Sequence, residues 1–228
     1  MLIMNQSMTD LFASLFIFLT TMIAGMDWPW ITKPGLAVTV FCKVWLSQFF
    51  PWACMTVSTY NLVALTIKRY IALIHPLTYK SNVSKKRIWV VITLLWIAGF
   101  AYQSSQIWSS TMKGRFCSLW TEWPSKSFQL GYGISDFFIE YGIPISFLIF
   151  CYTRIVIKIH KEARLRTGSL NRKNQMARSR NILIRTLILG SVGFFLCWTW
   201  HSIQPLFVFL VWWITLDCST KSVLLPFI

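Results

Sequence analysis

Six long apolar stretches constrain this 228-residue chain more than any other feature. Each is close to the ~20 residues that an α-helix needs to cross a bilayer. Apolar residues make up 55% of the chain and charged residues 13%, about half the charge of a soluble domain. The pattern predicts an all-α membrane protein with spans near 1–24, 44–67, 88–108, 134–157, 182–204 and 206–228.

The basic residues are distributed unevenly between the loops. The chain has 22 Lys and Arg against 7 Asp and Glu, a net charge of +15. Such a surplus is typical of nucleic-acid-binding proteins and of the inner loops of membrane proteins. Region 68–87 holds six basic residues and region 154–185 holds ten. We therefore expect both regions to be cytoplasmic and expect no nucleic-acid partner.

Both ends of the chain are apolar up to the last residue. A helix that ends within hydrocarbon leaves backbone groups unpaired, which is costly. We therefore expect the chain to be a fragment that lacks sequence at both ends.

A series of short motifs is distributed along the apolar stretches and the loops between them. Lys68-Arg69-Tyr70 closes the second stretch, and His75-Pro76-Leu77 follows it. The other members are Asn5, Asp10-Leu11, Trp96, Pro144, Tyr152, Phe194, Cys197-Trp198 and Pro226-Phe227-Ile228. Over nearly the whole chain, the series resembles that of rhodopsin-like (class A) G-protein-coupled receptors. The resemblance implies a seven-transmembrane bundle with about six spans present, lacking the first helix and the C-terminal tail.

The resemblance also implies what such a chain does. It would be a multi-pass receptor of the plasma membrane, not an enzyme, and would need neither a cofactor nor a metal. Its work would be a ligand-biased equilibrium between two packings of the bundle. Its partners would be an extracellular ligand, for which we expect a peptide, a heterotrimeric G protein and the lipid bilayer.

Two cysteines on the outer side match the family's disulfide between the third helix and the second extracellular loop. They are Cys42, which opens the second stretch, and Cys117 in the third loop. An oxidising compartment permits this bond. Two unpaired thiols are the alternative.

The resemblance places the G-protein coupling switch at Arg69, Tyr70 and Tyr152. In the family an acidic residue precedes this arginine and restrains it, but here Lys68 would repel it. We expect a weaker inactive-state lock and raised basal activity. The alternative is a basic helix end at the anionic inner leaflet.

The family's sodium site corresponds to Asp10, Ser58 and Ser222. A charge inside a span is costly and usually functional. Leu225 replaces an expected asparagine, and Lys221 lies near the same cavity. We hypothesise that Lys221 pairs with Asp10 in place of sodium, with a snorkelling Lys221 as the alternative.

Trp198 corresponds to the family's toggle residue beneath the ligand pocket, and Phe194 to the residue that relays its movement. Plain aromatic packing is the alternative. The family has a proline two residues after this tryptophan, but this chain has Trp200 there. We therefore expect a smaller kink in this helix.

The ligand pocket is predicted from polar and aromatic residues toward the outer side. Asp136 and Glu140 are four apart, so an α-helix would place both on one face, where they could bind a cation such as a basic side chain of a peptide. The alternative is that Asp136 faces the membrane interface and Glu140 pairs with a neighbour. The full predicted set is Phe49, Trp52, Asp136, Glu140, His201 and Gln204. The place of the family's amine-binding aspartate falls on Pro51, which disfavours a monoamine ligand. The interval from Cys42 to Arg69 is about two residues too long, and we expect Pro51 to absorb it as a bulge or kink.

Two further interpretations stay open at this point. The departures at Lys68, Trp200 and Leu225 and the short interval between Trp198 and Pro226 also fit a non-signalling receptor relic or an incorrect gene model. A polytopic transporter or channel is the other possibility, although such proteins commonly carry repeats or broken helices.

Overall fold

A computed structural model describes residues 1–24, 35–77, 79, 83–113, 116–118, 123–165, 188–193, 196 and 199. The chain divides into two compact units, which are described separately. The first comprises Met1–Pro124 and Ser146–Arg166, and the second comprises Ser125–Ile145 and Thr167–Ile228.

The described part of the chain is almost entirely helical. The helices are α1 (Leu2–Ala24), α2 (Leu36–Phe41), α3 (Phe49–Ile74), α4 (Lys85–Gln103), α5 (Ser105–Ser109), α6 (Lys126–Phe137) and α7 (Ile143–Leu165). The strands β1 (Thr111–Lys113) and β2 (Phe116–Ser118) form an antiparallel hairpin. Five-residue π-helical turns occupy Cys42–Leu46 and Phe138–Gly142.

Within the described residues, four helical stretches are long and apolar enough to cross a membrane. They are Leu2–Ile23, Leu36–Ile74, Lys85–Ser109 and Ser127–Lys161. These stretches confirm the predicted all-α membrane architecture. The fifth and sixth apolar stretches, 182–204 and 206–228, lie for the most part outside the described residues.

Two of the helices begin at serine caps. The Ser84 hydroxyl accepts a hydrogen bond from the Arg87 amide at 3.3 Å at the start of α4. The Ser125 hydroxyl accepts one from the Phe128 amide at 3.1 Å at the start of α6. Each cap satisfies an amide that has no partner inside its helix.

Helix α3 packs against both α1 and α4 in the first unit. Leu2, Leu65 and Ile92 form a buried apolar cluster that draws on all three helices. Gly99 of α4 brings the backbones close: a Cβ atom there would lie 2.6 Å from Val57 Cγ2 and 3.3 Å from the Ala53 carbonyl oxygen. Small residues allow such close approach between membrane helices.

The helix between Leu36 and Ile74 is interrupted three residues before Pro51. The Ser47 amide donates to the Cys42 carbonyl at 2.9 Å, five residues back, as in a π-helix. Gln48 then takes a left-handed conformation with φ of 59°. Pro51 has no N–H to donate to the Ser47 carbonyl, and a proline ring generally clashes with the carbonyl four residues before it. The expected irregularity is present, and the structure places it upstream of Pro51.

A second π-helical turn, Phe138–Gly142, also precedes a proline. Pro144 is fully buried and has no N–H for the carbonyl of Glu140, four residues earlier. The extra residue in a π-helical turn rotates the side chains that follow it.

Candidate functional site

The β-hairpin is tied to the helix that begins at Leu36. Met112 lies opposite Cys117 in the hairpin. Cys117 forms a disulfide with Cys42, across a Cα–Cα distance of 5.6 Å and 75 residues of sequence. Cys42 is completely buried. The predicted disulfide is confirmed, and it fixes the hairpin at one end of the first unit.

Four polar side chains form a hydrogen-bonded group between α1 and α3, which we call the polar seam: Gln6, Asp10, Ser58 and Asn61. The Ser58 hydroxyl donates to Asp10 Oδ1 at 2.6 Å. Gln6 Nε2 lies 3.1 Å from Asp10 Oδ1 and 3.3 Å from Oδ2, and it also donates to Ser58 Oγ. Asn61 Nδ2 donates to Gln6 Oε1 at 2.8 Å and to the Leu2 carbonyl at 3.0 Å.

The structure therefore brings Asp10 and Ser58 of the predicted cation site together. Ser222 and Lys221 lie outside the described residues, so the proposed pairing of Asp10 with Lys221 stays a prediction. Gln6 was not predicted. Its spacing of four residues from Asp10, inside an apolar span, is the sequence signal that could have identified it.

A second polar contact joins two residues of the motif series, Asn5 and Trp96. Trp96 Nε1 of α4 donates to Asn5 Oδ1 of α1 at 3.0 Å. Asn5 is buried, and its Nδ2 has no partner in the part of the chain that the structure describes. This bond ties α4 to α1 beside the polar seam.

Two residues of the predicted coupling switch, Arg69 and Tyr70, lie toward the end of α3, and the third, Tyr152, lies on α7. The Tyr152 hydroxyl of α7 is 3.0 Å from Thr66 Oγ1, one turn before Arg69. The ring of Tyr70 lies 6.5 Å from that of Phe150, also on α7. Arg69 is half-buried and has no ion pair among the described residues. Tyr70 and Tyr152 therefore both take part in contacts between α3 and α7.

Five rings form an aromatic cluster: Phe16, Trp45, Phe49, Phe50 and Phe100. Phe50 lies at its centre, with ring-centroid distances of 5.3 Å to Phe16, 6.0 Å to Trp45 and 5.2 Å to Phe49. Phe49 meets Phe100 of α4 edge-on at 5.6 Å. The cluster therefore links α1, the π-helical turn Cys42–Leu46, α3 and α4.

The predicted pocket residues are placed in different surroundings. Phe49 belongs to the aromatic cluster, and Trp52 is half-buried on α3. Asp136 is half-buried at the end of α6, whereas Glu140 is buried in the π-helical turn. A π-helical turn begins between them at Phe138, and the two side chains differ in burial. Their joint role in binding a cation stays a prediction.

The remaining predicted site residues are not covered by the structure. Phe194, Trp198, His201 and Gln204 lie outside the described residues. Their roles as toggle and pocket residues stay predictions.

A family model defines the class of this protein. The model described as "7 transmembrane receptor (rhodopsin family)" matches residues 1–227. The chain therefore belongs to the rhodopsin family of seven-transmembrane receptors. It is a multi-pass protein of the plasma membrane and a receptor, not an enzyme.

The chain is also similar in sequence to individual receptors of this family. The chain is 27% identical over 223 residues to the neuropeptide Y receptor type 1 of Xenopus laevis, covering 91% of this chain and 56% of that protein. It is 24% identical over 211 residues to the galanin receptor type 1 of Mus musculus, covering 90% and 56%. It is 28% identical over 162 residues to the RYamide receptor of Drosophila melanogaster, covering 66% and 34%. The chain spans about half the length, or less, of these curated relatives.

Proposed function

We propose that this chain is the transmembrane part of a receptor that binds an extracellular peptide and activates a heterotrimeric G protein. The observation that carries the peptide assignment is that three relatives are named as receptors for neuropeptide Y, galanin and RYamide. The loss of the amine-binding aspartate, whose place falls on Pro51, supports the same assignment.

The first unit supports a ligand site at the end where the disulfide lies. The Cys42–Cys117 bond holds the β-hairpin against the helical stretch Leu36–Ile74, which supplies Trp45, Phe49 and Phe50 to the aromatic cluster. A short antiparallel hairpin offers backbone groups and alternating side chains that an extended peptide can recognise. Within the predicted pocket, Asp136 and Glu140 would attract a basic side chain of the peptide. Trp198 and Phe194 would report its binding to the rest of the bundle.

Contacts at the other end of α3 support a coupling role. The hydrogen bond between Thr66 and Tyr152 and the ring contact between Tyr70 and Phe150 join α3 to α7 near Arg69. A change in these contacts would alter the access of a G protein to Arg69. The surrounding basic residues would face the acidic lipids of the inner leaflet.

Nucleotide exchange is the direct test of this function. Membranes that contain the receptor and a G protein would be treated with neuropeptide Y, galanin or an RYamide peptide. We expect at least one of these peptides to accelerate binding of GTPγS, with no effect on membranes that lack the receptor. Failure of all three across the G-protein classes, with the receptor present at the cell surface, would argue against the proposal.

Substitution of Lys68 tests the coupling switch without any ligand. A carboxylate beside Arg69 would form the missing ion pair, which contributes up to about 1 kcal/mol. We expect Lys68→Asp to lower basal GTPγS binding by up to about fivefold. Lys85→Asp makes the same charge change at an exposed position at the start of α4 and should leave basal exchange unchanged. Equal basal exchange in Lys68→Asp and the unmodified receptor would contradict the proposed role.

A further inference from the structure

The polar seam departs from a cation site at one residue. Asp10 and Ser58 supply oxygen atoms, the ligands that hard cations take. The group that meets both oxygens is Gln6 Nε2, which lies 3.1 Å from Asp10 Oδ1 and also donates to Ser58 Oγ. An amide nitrogen presents hydrogen atoms and has no lone pair to offer a cation. In this arrangement, the described residues of the seam therefore do not fit a sodium ion.

The orientation of the Gln6 amide is fixed by its neighbours. The Leu2 carbonyl can only accept a hydrogen bond, so the Asn61 atom 3.0 Å from it is the nitrogen, Nδ2. The same Nδ2 lies 2.8 Å from the end of Gln6, so the Gln6 atom facing it is Oε1. It follows that Nε2 points to the other side, toward Asp10 and Ser58.

The hydrogen atoms of the seam are all accounted for in this arrangement. One Nε2 hydrogen goes to Asp10 and the other to Ser58 Oγ, while the Ser58 hydroxyl hydrogen goes to Asp10 Oδ1. Turning the Gln6 amide toward a cation would place two N–H groups against each other at Asn61. Because Asn61 is completely buried, water does not compensate for that loss.

We propose that Gln6 is a specificity-determining residue that excludes sodium from the Asp10 site. Its neutral amide takes the two positions, on Asp10 and on Ser58, that a sodium ion would need. Since Gln6 and Asp10 are four residues apart on one helix, the contact is local to α1. The exclusion depends on neither a ligand nor a G protein, so it stands or fails separately from the proposed function.

Thermal unfolding of the purified receptor in detergent tests this exclusion with sodium alone as the probe. Cys54 and Cys151 are buried free cysteines, so a thiol-reactive dye reports unfolding. Midpoints would be compared in sodium chloride and potassium chloride at equal ionic strength. We expect the unmodified receptor to show the same Tm in both salts. In Gln6→Leu, sodium at about five times its dissociation constant should raise Tm by about 2–4 °C.

Three variants identify the source of any sodium effect. The rise should disappear in Gln6→Leu combined with Asp10→Asn, which removes the charged ligand. Asn61→Ala frees Gln6 Oε1 and should also create a sodium response, which keeps the proposal testable if Gln6→Leu does not fold. Gln103→Leu is the matched control, because its buried Nε2 donates to Thr56 Oγ1 at 2.9 Å, away from Asp10, and it should stay insensitive to sodium.

Two outcomes would overturn the proposal. One is a sodium-specific rise in the unmodified receptor as large as that in Gln6→Leu. The other is a response that appears only in Lys221→Met and not in Gln6→Leu or Asn61→Ala, which would assign the exclusion to Lys221.

Discussion

The contact between α1 and α3 has two parts that are built from different chemistry. Toward the start of α1, the polar seam consists of hydrogen bonds from Gln6, Ser58 and Asn61. Further along, the aromatic cluster brings Phe16 against Phe50 with ring centroids 5.3 Å apart. One part is directional and pairs particular donors with particular acceptors, although the buried Asn61 Oδ1 has no partner among the described residues. The other part is apolar and tolerant of small shifts.

The difference follows from the hydrocarbon environment in which the two helices pack. Lipid chains are as apolar as phenylalanine, so burying a ring between helices gains packing rather than escape from water. An unpaired amide in the same place has no water with which to form a hydrogen bond. We infer that the polar seam sets the register of α1 on α3, and that the aromatic cluster fills the space beside it.

Removal of the disulfide should have the largest effect, and it should act on the aromatic end. In the chain-entropy model, a bond that closes a loop of this length stabilises the fold by about 4 kcal/mol. We expect Cys42→Ala with Cys117→Ala to lower Tm by about 8–16 °C. Hydrogen exchange should rise in 36–46 and 111–113 and stay unchanged in 2–10, which contains Gln6 and Asp10.

A reductant provides the control for this variant. It should lower Tm in the unmodified receptor and leave the double variant unaffected. Equal loss of protection in 2–10 and 36–46 would show that the two parts of the α1–α3 contact do not behave separately.

Truncation of Phe50 should have the next largest effect. Phe→Ala in a buried core costs about 3–5 kcal/mol, and for the half-buried Phe50 we expect about 2–3 kcal/mol. Phe18→Ala is the matched control, because the Phe18 ring is 57% exposed on α1 and should change stability little. Thermal unfolding of both variants measures the difference, and similar Tm values would argue against a structural role for the cluster.

The parts of the fold that were predictable from sequence are those set by composition and by motif order. The helices through Leu2–Ala24 and Lys85–Gln103 follow from apolar stretches of membrane-spanning length. The pairing of Cys42 with Cys117 follows from the family resemblance and is confirmed.

The parts that were not predictable depend on how one helix is rotated against another. Pro51 and Pro144 indicate irregular helices, but the sequence does not locate the π-helical turns that precede them. The sequence therefore does not place Phe49 in the aromatic cluster or Glu140 inside a π-helical turn. The spacing of Gln6 from Asp10 is visible in the sequence, but the orientation of the Gln6 amide depends on Asn61, which only the packing of α3 brings near it.

Asn61→Leu should have the smallest of these effects and should act only on the polar seam. It leaves Gln6 Oε1 and the Leu2 carbonyl without their shared donor, and hydrogen bonds between membrane helices contribute about 0.6–1.7 kcal/mol each. We expect a loss of about 1–2 kcal/mol, measured as the free energy of unfolding. Thr59→Val is the control, since the buried Thr59 hydroxyl donates only within its own helix, to the Met55 carbonyl at 3.0 Å.

A double variant separates the hydrogen bond from the change in shape. When Gln6→Leu is combined with Asn61→Leu, the Gln6 acceptor that Asn61→Leu would strand is no longer present. The combined loss should therefore be smaller than the sum of the two single losses by about 0.5–1 kcal/mol. If the losses are additive, Asn61 and Gln6 do not act as a unit, and the polar seam does not set the register of α1. If they couple as expected while Phe50→Ala remains additive with Asn61→Leu, the directional and the space-filling parts of the α1–α3 contact are energetically distinct.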